Sequence, residues 1–372
     1  MAVVAAVLAG ALVREINLLF MVAGLMAGPL LWSWWGGKRL LRGIMVRRRL
    51  PRSVCAGDLL VVELEVLNSR SRGGVWALVI EERFFDEVGQ QVCPSAKMYI
   101  PFLSAGARQT VSYRGRLPQR GRYRLGPIRL SSRFPFGLFR HTVEVGAMEE
   151  LVVYPRLGRL TRRWTARHQQ SFEGVQRREQ SSGRAEGDFY GVRPWRTGDS
   201  RRWIHWRASA RHQALVVRQF EQYRNRDLAI LLDLRQPADP TAQSRENEEW
   251  AVSFAATLVA QACRKGVHRV GLAIAGQELV WLTGPASSGL LDAALEHLAL
   301  AHPSAEDRLP ELLDPIVRAL QRGTELVVIH TMPPEPSALA ELKIQLARRL
   351  AGSQIVSVPV TDPLFAEYFL PL

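Results

Sequence analysis

The sequence predicts an α+β multidomain protein with an N-terminal transmembrane helical hairpin, a β-sandwich domain and a C-terminal α/β domain built on a parallel sheet. An uncharged apolar run lies near the N-terminus, short alternating strands follow, and apolar strands alternate with helices in the last part of the chain. The 372 residues also exceed what one hydrophobic core usually covers. The predicted segments are a hairpin over 1–37, a β-sandwich over 38–155, a basic linker plus a signature segment over 156–226, and an α/β domain over 227–372.

The apolar run over 18–35 predicts a membrane-spanning helix. Its 18 residues carry no charge and end in tryptophans. At ~1.5 Å per residue they cross most of a ~30 Å hydrocarbon core. Basic residues follow at once, namely Lys38, Arg39, Arg42, Arg47, Arg48, Arg49 and Arg52. Because basic flanks stay cytoplasmic, we expect an inner (plasma) membrane protein whose soluble domains face the cytoplasm.

The first apolar stretch, 2–13, is predicted to be the other arm of the hairpin. It is short for a membrane span, so either it thins the bilayer or the start site is set late and the arm is truncated. A cleaved signal peptide is less well supported, because there is no basic start and the longer run has a basic far side. A buried soluble helix is disfavoured by apolarity all round the longer run.

Residues 44–155 are predicted to form the β-sandwich. Short runs rich in Val, Ile, Leu and Tyr are separated by Gly and Asn turns, as in antiparallel sandwiches. The predicted strands cover 59–68, 75–84, 98–103, 108–117 and 121–132. The stretch RFPFGLF over 133–139 is interpreted as a hydrophobic corner.

The polar, basic stretch over 156–186 has no sustained period and is predicted to be a linker or surface excursion. Beyond 227, near-continuous apolar strands alternate with helices, which predicts a parallel sheet covered on both faces. The predicted strands are 228–234, 269–276, 278–284, 325–331 and 354–360, and the predicted helices are 247–265, 287–300 and 336–351.

The most informative segment is 187–211, which reads GDFYGVRPWRTGDSRRWIHWRASAR. It holds three tryptophans, six arginines, a histidine and two Gly-Asp pairs in 25 positions. Gly-Asp pairs suit turns, because glycine tolerates positive φ and aspartate accepts bonds from nearby backbone N–H groups. Arginines beside aromatic rings suit stacked cation–π pairs and buried ion pairs.

This segment resembles the signature of the bacterial domain-of-unknown-function 58 (DUF58) family. The resemblance extends to 120–140 and to VVYP at 152–155, and the α/β half looks like a von Willebrand factor A-type domain. The matching signature residues are Gly187, Phe189, Arg193, Gly198, Asp199, Arg201, Ile204, His205, Trp206, Arg207, Ser209, Ala210 and Arg211.

The resemblance implies a membrane-tethered cytosolic protein, commonly encoded near a MoxR-type AAA+ ATPase, that acts as a non-enzymatic adaptor in the assembly or maturation of other proteins. No cofactor is expected. The candidate interaction residues are Asp199, Arg201, His205, Trp206, Arg207 and Arg211. They either hold the signature and the α/β domain in one rigid unit or offer that unit to a partner.

A-type domains carry a metal site, D-x-S-x-S, after the first strand, and this chain departs from it. Asp233 is present, but Arg235 and Pro237 stand where the hydroxyl ligands belong, and the far strand ends in His330-Thr331. Divalent ions need clustered oxygen donors, so the site is interpreted as degenerate and no bound metal is expected. Asp233 is expected to pair instead with an arginine of the signature.

Two other functions stay open at this point. The net charge of +14 and the Arg/Trp interleaving fit a nucleic-acid or anionic-surface binding protein. A hydrolase would use Asp188, Asp199 and His205, with Ser209 as nucleophile, but no recognised catalytic motif is present. We expect Arg201, Arg207 and Arg211 to pair with carboxylates, so that Arg207→Ala lowers the stability of the protein by about 3 kcal/mol.

The cysteines are expected to be free thiols. Cys55, Cys93 and Cys263 lie too far apart in sequence to indicate a disulfide framework or a zinc site.

Overall fold

A computed structural model divides the chain into two compact units, Met1–Val153 and Tyr154–Leu372. It describes residues 2–14, 17–51, 53–166, 189–197, 199, 201–220, 227–265, 267–319, 324–333, 340, 344 and 354–371. Where the sequence suggested four segments, the apolar helices group with the β domain as unit 1, and the signature groups with the α/β domain as unit 2.

Unit 1 begins with two apolar helices, α1 (Ala2–Arg14) and α2 (Asn17–Leu41). The 25 residues of α2 are long and apolar enough to cross a membrane, as predicted, with a mean hydropathy of 1.5 over its most apolar window. The helix continues past the predicted end at 35. The two helices contact each other, and Ala11 and Ala23 are fully buried. Such small side chains allow close approach of helices in a membrane.

The rest of unit 1 is antiparallel β-structure in three sheets with strand orders β1-β3-β7, β10-β9-β4-β6 and β2-β11-β8-β5. The strands are β1 (Ile44–Arg49), β2 (Val54–Cys55), β3 (Leu60–Asn68), β4 (Val75–Glu82), β5 (Phe84–Phe85), β6 (Ala96–Leu103), β7 (Arg108–Gly115), β8 (Gly121–Leu125), β9 (Ile128–Ser132), β10 (His141–Val145) and β11 (Glu149–Tyr154). The single strand predicted over 121–132 is thus two strands, β8 and β9.

One hydrophobic core joins the three sheets of unit 1. Leu60, Val62 and Leu64 of β3 are buried at alternate positions, and they belong to one cluster with Leu78 of β4 and Leu125 of β8. This period of two is what places one face of each strand in the interior.

An ion pair also lies inside unit 1. The Arg48 and Glu82 side chains are 1% and 0% exposed and contact each other. Arg48 also donates to the carbonyl oxygen of Gly126 at 3.0 Å and lies 3.0 Å from the carboxylate of Glu149. Charge is tolerated here because the guanidinium has several acceptors around it.

Unit 2 is built on a five-stranded sheet with the order β17-β16-β15-β18-β19. The strands are β15 (Asp227–Asp233), β16 (Arg269–Ala275), β17 (Leu279–Pro285), β18 (Glu325–His330) and β19 (Gln354–Pro359). Four of them are parallel, and the edge strand β17 is antiparallel to β16. Only three residues connect β16 to β17, too few for the crossover that a parallel pair needs.

Helices cover both faces of this sheet. On β15, Leu228, Ile230 and Leu232 belong to one buried cluster, whereas Ala229 and Leu231 belong to another. The helices of unit 2 numbered in chain order are α3 (Trp206–His212), α4 (Ala242–Arg264), α5 (Ser288–Ala299), α6 (Leu309–Ala319) and α7 (Phe365–Tyr368). Helix α6 was not predicted, and the helix predicted over 336–351 lies outside the described residues apart from 340 and 344.

The interpretation of 156–166 as linker is wrong. Strand β12 (Gly158–Leu160) pairs antiparallel with β20 (Phe369–Pro371), and the Trp164 side chain is buried in the core of unit 2. Gly158 is required at this contact, because a Cβ there would lie 2.2 Å from the ring of Phe369. Residues 167–186 lie outside the described part of the chain.

Candidate functional site

The signature folds as strand, turn, helix and strand. Strand β13 (Phe189–Pro194) pairs antiparallel with β14 (Val216–Phe220), and the chain between them forms a 3-10 turn over Arg201–Trp203 and helix α3. Ile204 makes a further bridge to Val217, which holds the connection against the strands. Of the predicted site residues, Asp188 lies outside the described residues, as do Gly187 and Gly198.

Asp199 closes the turn through a clamp with Arg193. The Arg193 guanidinium donates to both carboxylate oxygens of Asp199 at 2.7 Å, and the backbone N–H of Arg196 donates to the same carboxylate at 2.8 Å. The bidentate bonds from Arg193 hold the pKa of Asp199 below its ordinary value and raise the pKa of Arg193. The expectation that Arg201, Arg207 or Arg211 pairs with Asp199 is therefore wrong.

His205 and Ser209 serve the local fold. His205 is the N-cap of α3, where its Nδ1 accepts a bond from the backbone N–H of Ala208 at 3.1 Å. The Ser209 hydroxyl is buried, accepts from the backbone N–H of Val216 at 3.0 Å and donates to the Val216 carbonyl at 3.3 Å. His205 thus caps the first turn of α3, and Ser209 fastens α3 to β14.

The remaining predicted residues form an exposed surface. Trp206 is 69% exposed, and all the basic side chains around it in sequence are exposed. We call this set the Arg/Trp surface; it comprises Arg201, Arg202, Trp206, Arg207 and Arg211. Within the described part of the chain, none of its four arginines has a carboxylate in ion-pair distance. The expected loss of about 3 kcal/mol from a buried partner of Arg207 is therefore also wrong, because Arg207 faces solvent.

Polar residues also meet at the carboxyl ends of β15 and β18. The Asp233 carboxylate lies 3.1 Å from Nδ1 of His330, and both side chains are buried. Arg235 lies 3.5 Å from the Asp307 carboxylate and donates to the carbonyl of Pro333 at 3.3 Å. The expected partner of Asp233, a signature arginine, is thus corrected to His330. No cluster of three or more metal-ligating side chains occurs among the residues with assigned placement.

Sequence reasoning missed two of these partners. Arg193 was among the residues that matched the signature but was not singled out for a role, although a guanidinium six residues before a turn aspartate was a usable signal. The pairing of Asp233 with His330 follows from strand order, because β15 and β18 are neighbours with Asp233 opposite His330. Nothing in a single sequence reports that neighbour relation.

The fold is that of a mixed α/β protein with several sheets and one apolar N-terminal helix of membrane-spanning length. Its candidate site is the signature segment, in which Arg193 binds Asp199 and the other arginines are exposed. Residues 191–371 match the family model described as "Protein of unknown function DUF58". The resemblance predicted from the signature is thereby confirmed over this part of the chain.

Comparisons over longer stretches add a relative without a described activity. The "Uncharacterized protein YeaD" of Bacillus subtilis (strain 168) is 24% identical over 311 residues, which are 81% of this chain and 74% of that protein.

Solved structures are less similar to this chain. The CARDB domain of a Pyrococcus furiosus protein is 17% identical with a TM-score of 0.21, over 30% of this chain and 91% of the domain. A beta-glucosidase from Listeria innocua is 18% identical with a TM-score of 0.17, over 28% of this chain and 16% of the enzyme. Scores of this size do not establish a common fold.

Proposed function

We propose that the protein is a non-enzymatic, membrane-anchored interaction protein that docks an acidic partner on the Arg/Trp surface. One observation carries the proposal. A large aromatic side chain, Trp206, projects into solvent among exposed arginines, while Asp199, which could neutralise them, is held by Arg193. Tryptophan and arginine are the residues that most often dominate binding energy at protein interfaces.

Helix α3 supports this proposal through its charge arrangement. Arg207 and Arg211 lie four residues apart, so they share one face of the helix, where like charges destabilise it by a few tenths of a kcal/mol. A partner carboxylate between them would remove that repulsion. The surface is therefore better suited to a complex than to the free protein.

The family resemblance suggests the partner and the setting. We propose that α2 anchors the protein in the inner membrane, that the soluble units face the cytoplasm, and that a MoxR-type AAA+ ATPase binds the protein during assembly or maturation of other proteins. In this proposal unit 1 carries a β-sandwich and unit 2 a von Willebrand factor A-like domain. The shared core of the unit 1 sheets and the doubly covered sheet of unit 2 support these assignments.

Nucleic-acid or anionic-surface binding is the second candidate. The same exposed guanidinium groups could contact phosphates, and Trp206 could stack on a base. A hydrolase is less well supported, since the Asp199 carboxylate and the Ser209 hydroxyl are already engaged within the signature.

Co-purification of the full-length protein from solubilised membranes, with and without ATP, tests the first proposal. We expect Trp206→Ala and Arg207→Glu to lose an ATP-dependent partner that mass spectrometry identifies as an AAA+ ATPase. The matched control is Arg264→Ala, which removes an exposed arginine from α4 in the same unit. Recovery of the same partner by all three variants would contradict the proposal.

A titration with single-stranded DNA at two salt concentrations separates the second candidate from the first. If the arginines bind phosphate, Arg207→Ala lowers the salt slope of binding by about one unit. We expect no such change, and a clear loss of salt-dependent DNA binding would favour the second candidate.

A further inference from the structure

An exposed apolar surface lies in unit 1 at one end of the sheet β10-β9-β4-β6. Trp76 of β4 and Phe102 of β6 are directly paired across the strands, with ring centroids 4.2 Å apart, and Phe134 stacks on Trp76 at 6.0 Å. The loop after β9 adds two side chains, Phe136 and Leu138. We call these five residues the aromatic surface.

The aromatic surface is open to solvent to a degree unusual for such side chains. Trp76 and Phe102 are 47% and 42% exposed, and Phe136 and Leu138 are 55% and 51% exposed. Exposed apolar side chains at one end of a sheet, with Trp76 in ring contact with both Phe102 and Phe134, are typical of a binding site for a protein or a membrane.

Contacts with α2 fix the position of this surface along the helix. The Nε2–H of His141, three residues after Leu138, donates to the carbonyl of Ser33 at 2.8 Å. The loop before β4 reaches the end of the helix, where Arg70 donates to the carbonyl of Leu40 at 3.4 Å. The strand ends that carry the aromatic surface therefore flank the stretch of α2 from Ser33 to Leu40, which is about 10 Å long.

That stretch is where α2 leaves the apolar run and enters its basic flank. Trp32 and Trp34 are exposed on the helix at this level, which is the usual depth of tryptophan at a membrane interface. Exposed basic side chains surround the aromatic surface in sequence, namely Arg72, Arg133 and Arg140. Rings beside guanidinium groups match the apolar and anionic layers of a bilayer surface.

We propose that the aromatic surface inserts into the interface of the same bilayer that α2 crosses, with Arg72, Arg133 and Arg140 at anionic lipid headgroups. This inference rests on the anchoring role proposed for α2. Unit 1 would then be held at the membrane by two attachments, the helix and the aromatic surface, and would be restricted in rotation about the helix axis.

A nitroxide label tests the proposal in the full chain, reconstituted in nanodiscs that contain phosphatidylglycerol. Phe136→Cys is labelled in a background where Cys55, Cys93 and Cys263 are replaced by serine. The control is Val88→Cys in the same background, which labels an exposed turn that follows β5. We expect oxygen to relax the label at 136 more than a nickel chelate does, with the ratio severalfold above that at 88.

Three outcomes would overturn the proposal. Equal nickel access at 136 and 88 places the surface in water, and exclusion of both oxygen and nickel at 136 places it against protein. Release of the full chain from native membranes by alkaline carbonate would show that α2 does not anchor the protein. The last result contradicts the proposed anchoring as well, whereas the first two contradict the further inference alone.

Discussion

At the scale of single residues, Asp199 and Arg207 show how neighbouring charges in one segment take different roles. Asp199 accepts three short hydrogen bonds and fixes the turn that precedes α3. Arg207 has no carboxylate near it in the described part of the chain and is exposed on α3. The first is a structural residue of the signature, and the second is free to serve a partner.

Replacing Asp199 by asparagine should destabilise unit 2 by about 1 kcal/mol at neutral pH, because a charge-assisted clamp becomes a weaker neutral contact. The pKa of Asp199 is lower in the folded protein than in the unfolded chain, so its contribution is lost as pH falls through the folded value. Thermal melts of wild type and Asp199→Asn should therefore differ at pH 7 and should converge at low pH, below the ordinary aspartate pKa of about 3.9. Asp239→Asn, at an exposed position, is the control, and an equal gap at both pH values would contradict the assignment.

Arg207→Ala should change the free energy of unfolding by no more than about 0.5 kcal/mol, because no buried partner is uncovered. Chemical denaturation of the purified protein measures this directly. A loss of several kcal/mol would show that Arg207 pairs with a group that the described residues do not include. The binding experiments described above then report on function without interference from stability.

At the scale of elements, the packing between β12 and β20 depends on a close approach at a single glycine, Gly158. Gly158 lies against the ring of Phe369, which is itself fully buried. Both strands are only three residues long, so their alignment depends on this contact.

Gly158→Ala should destabilise unit 2 by about 1–3 kcal/mol, since the added methyl group overlaps the Phe369 ring and a buried core has little room to adjust. Gly289→Ala is the matched control. Gly289 lies in α5 with open space around its Cα, so alanine there should be neutral or slightly stabilising. Calorimetric melts of both variants measure the difference, and equal melting temperatures would refute the role of Gly158.

Elements with a strong local pattern could be predicted from the sequence, and those set by distant contacts could not. The prediction of a strand over 228–234 matches β15 to within one residue, because five consecutive apolar residues between turn signals are recognisable as a buried strand. Helix α6 was missed although its apolar residues recur at helical spacing, and Pro315 is a residue that usually ends a helix. Strand β17 was assigned to a parallel sheet although its short connection to β16 requires a hairpin. Strands as short as β12 and β20 contain too few residues to show a periodic pattern. They are ordered by pairing with each other, which a single sequence does not reveal.

The candidate site divides in the same way. The spacing of glycine, arginine and tryptophan identified the signature and its family, but the pairing inside it depended on backbone geometry. Arg193 reaches Asp199 because β13 directs it toward the turn, and Asp233 reaches His330 because β18 lies beside β15. Charge counts alone suggested other partners for both aspartates.

At the scale of the whole molecule, the basic flank of α2 determines the expected orientation. The chain after α2 should lie in the cytoplasm, because positively charged flanks are retained on that side. A fluorescent protein fused at the C-terminus should therefore be bright, and alkaline phosphatase fused at the same place should be inactive. Active phosphatase would place both units on the other side of the membrane and would remove the proposed cytosolic partner.

The pairing of β12 with β20 has a mechanical consequence for such a partner. Gly158 is opposite Pro371 and Leu160 is opposite Phe369, so the chain enters and leaves unit 2 at the same end of this ladder. A force that pulls these two ends apart loads the Gly158–Pro371 pair first and then each following pair in turn. Under shear, by contrast, all the hydrogen bonds between the two strands would carry the load together. A motor that pulled on the C-terminal end of the chain would thus open this ladder one pair at a time and would extract β20 before it reached the central sheet.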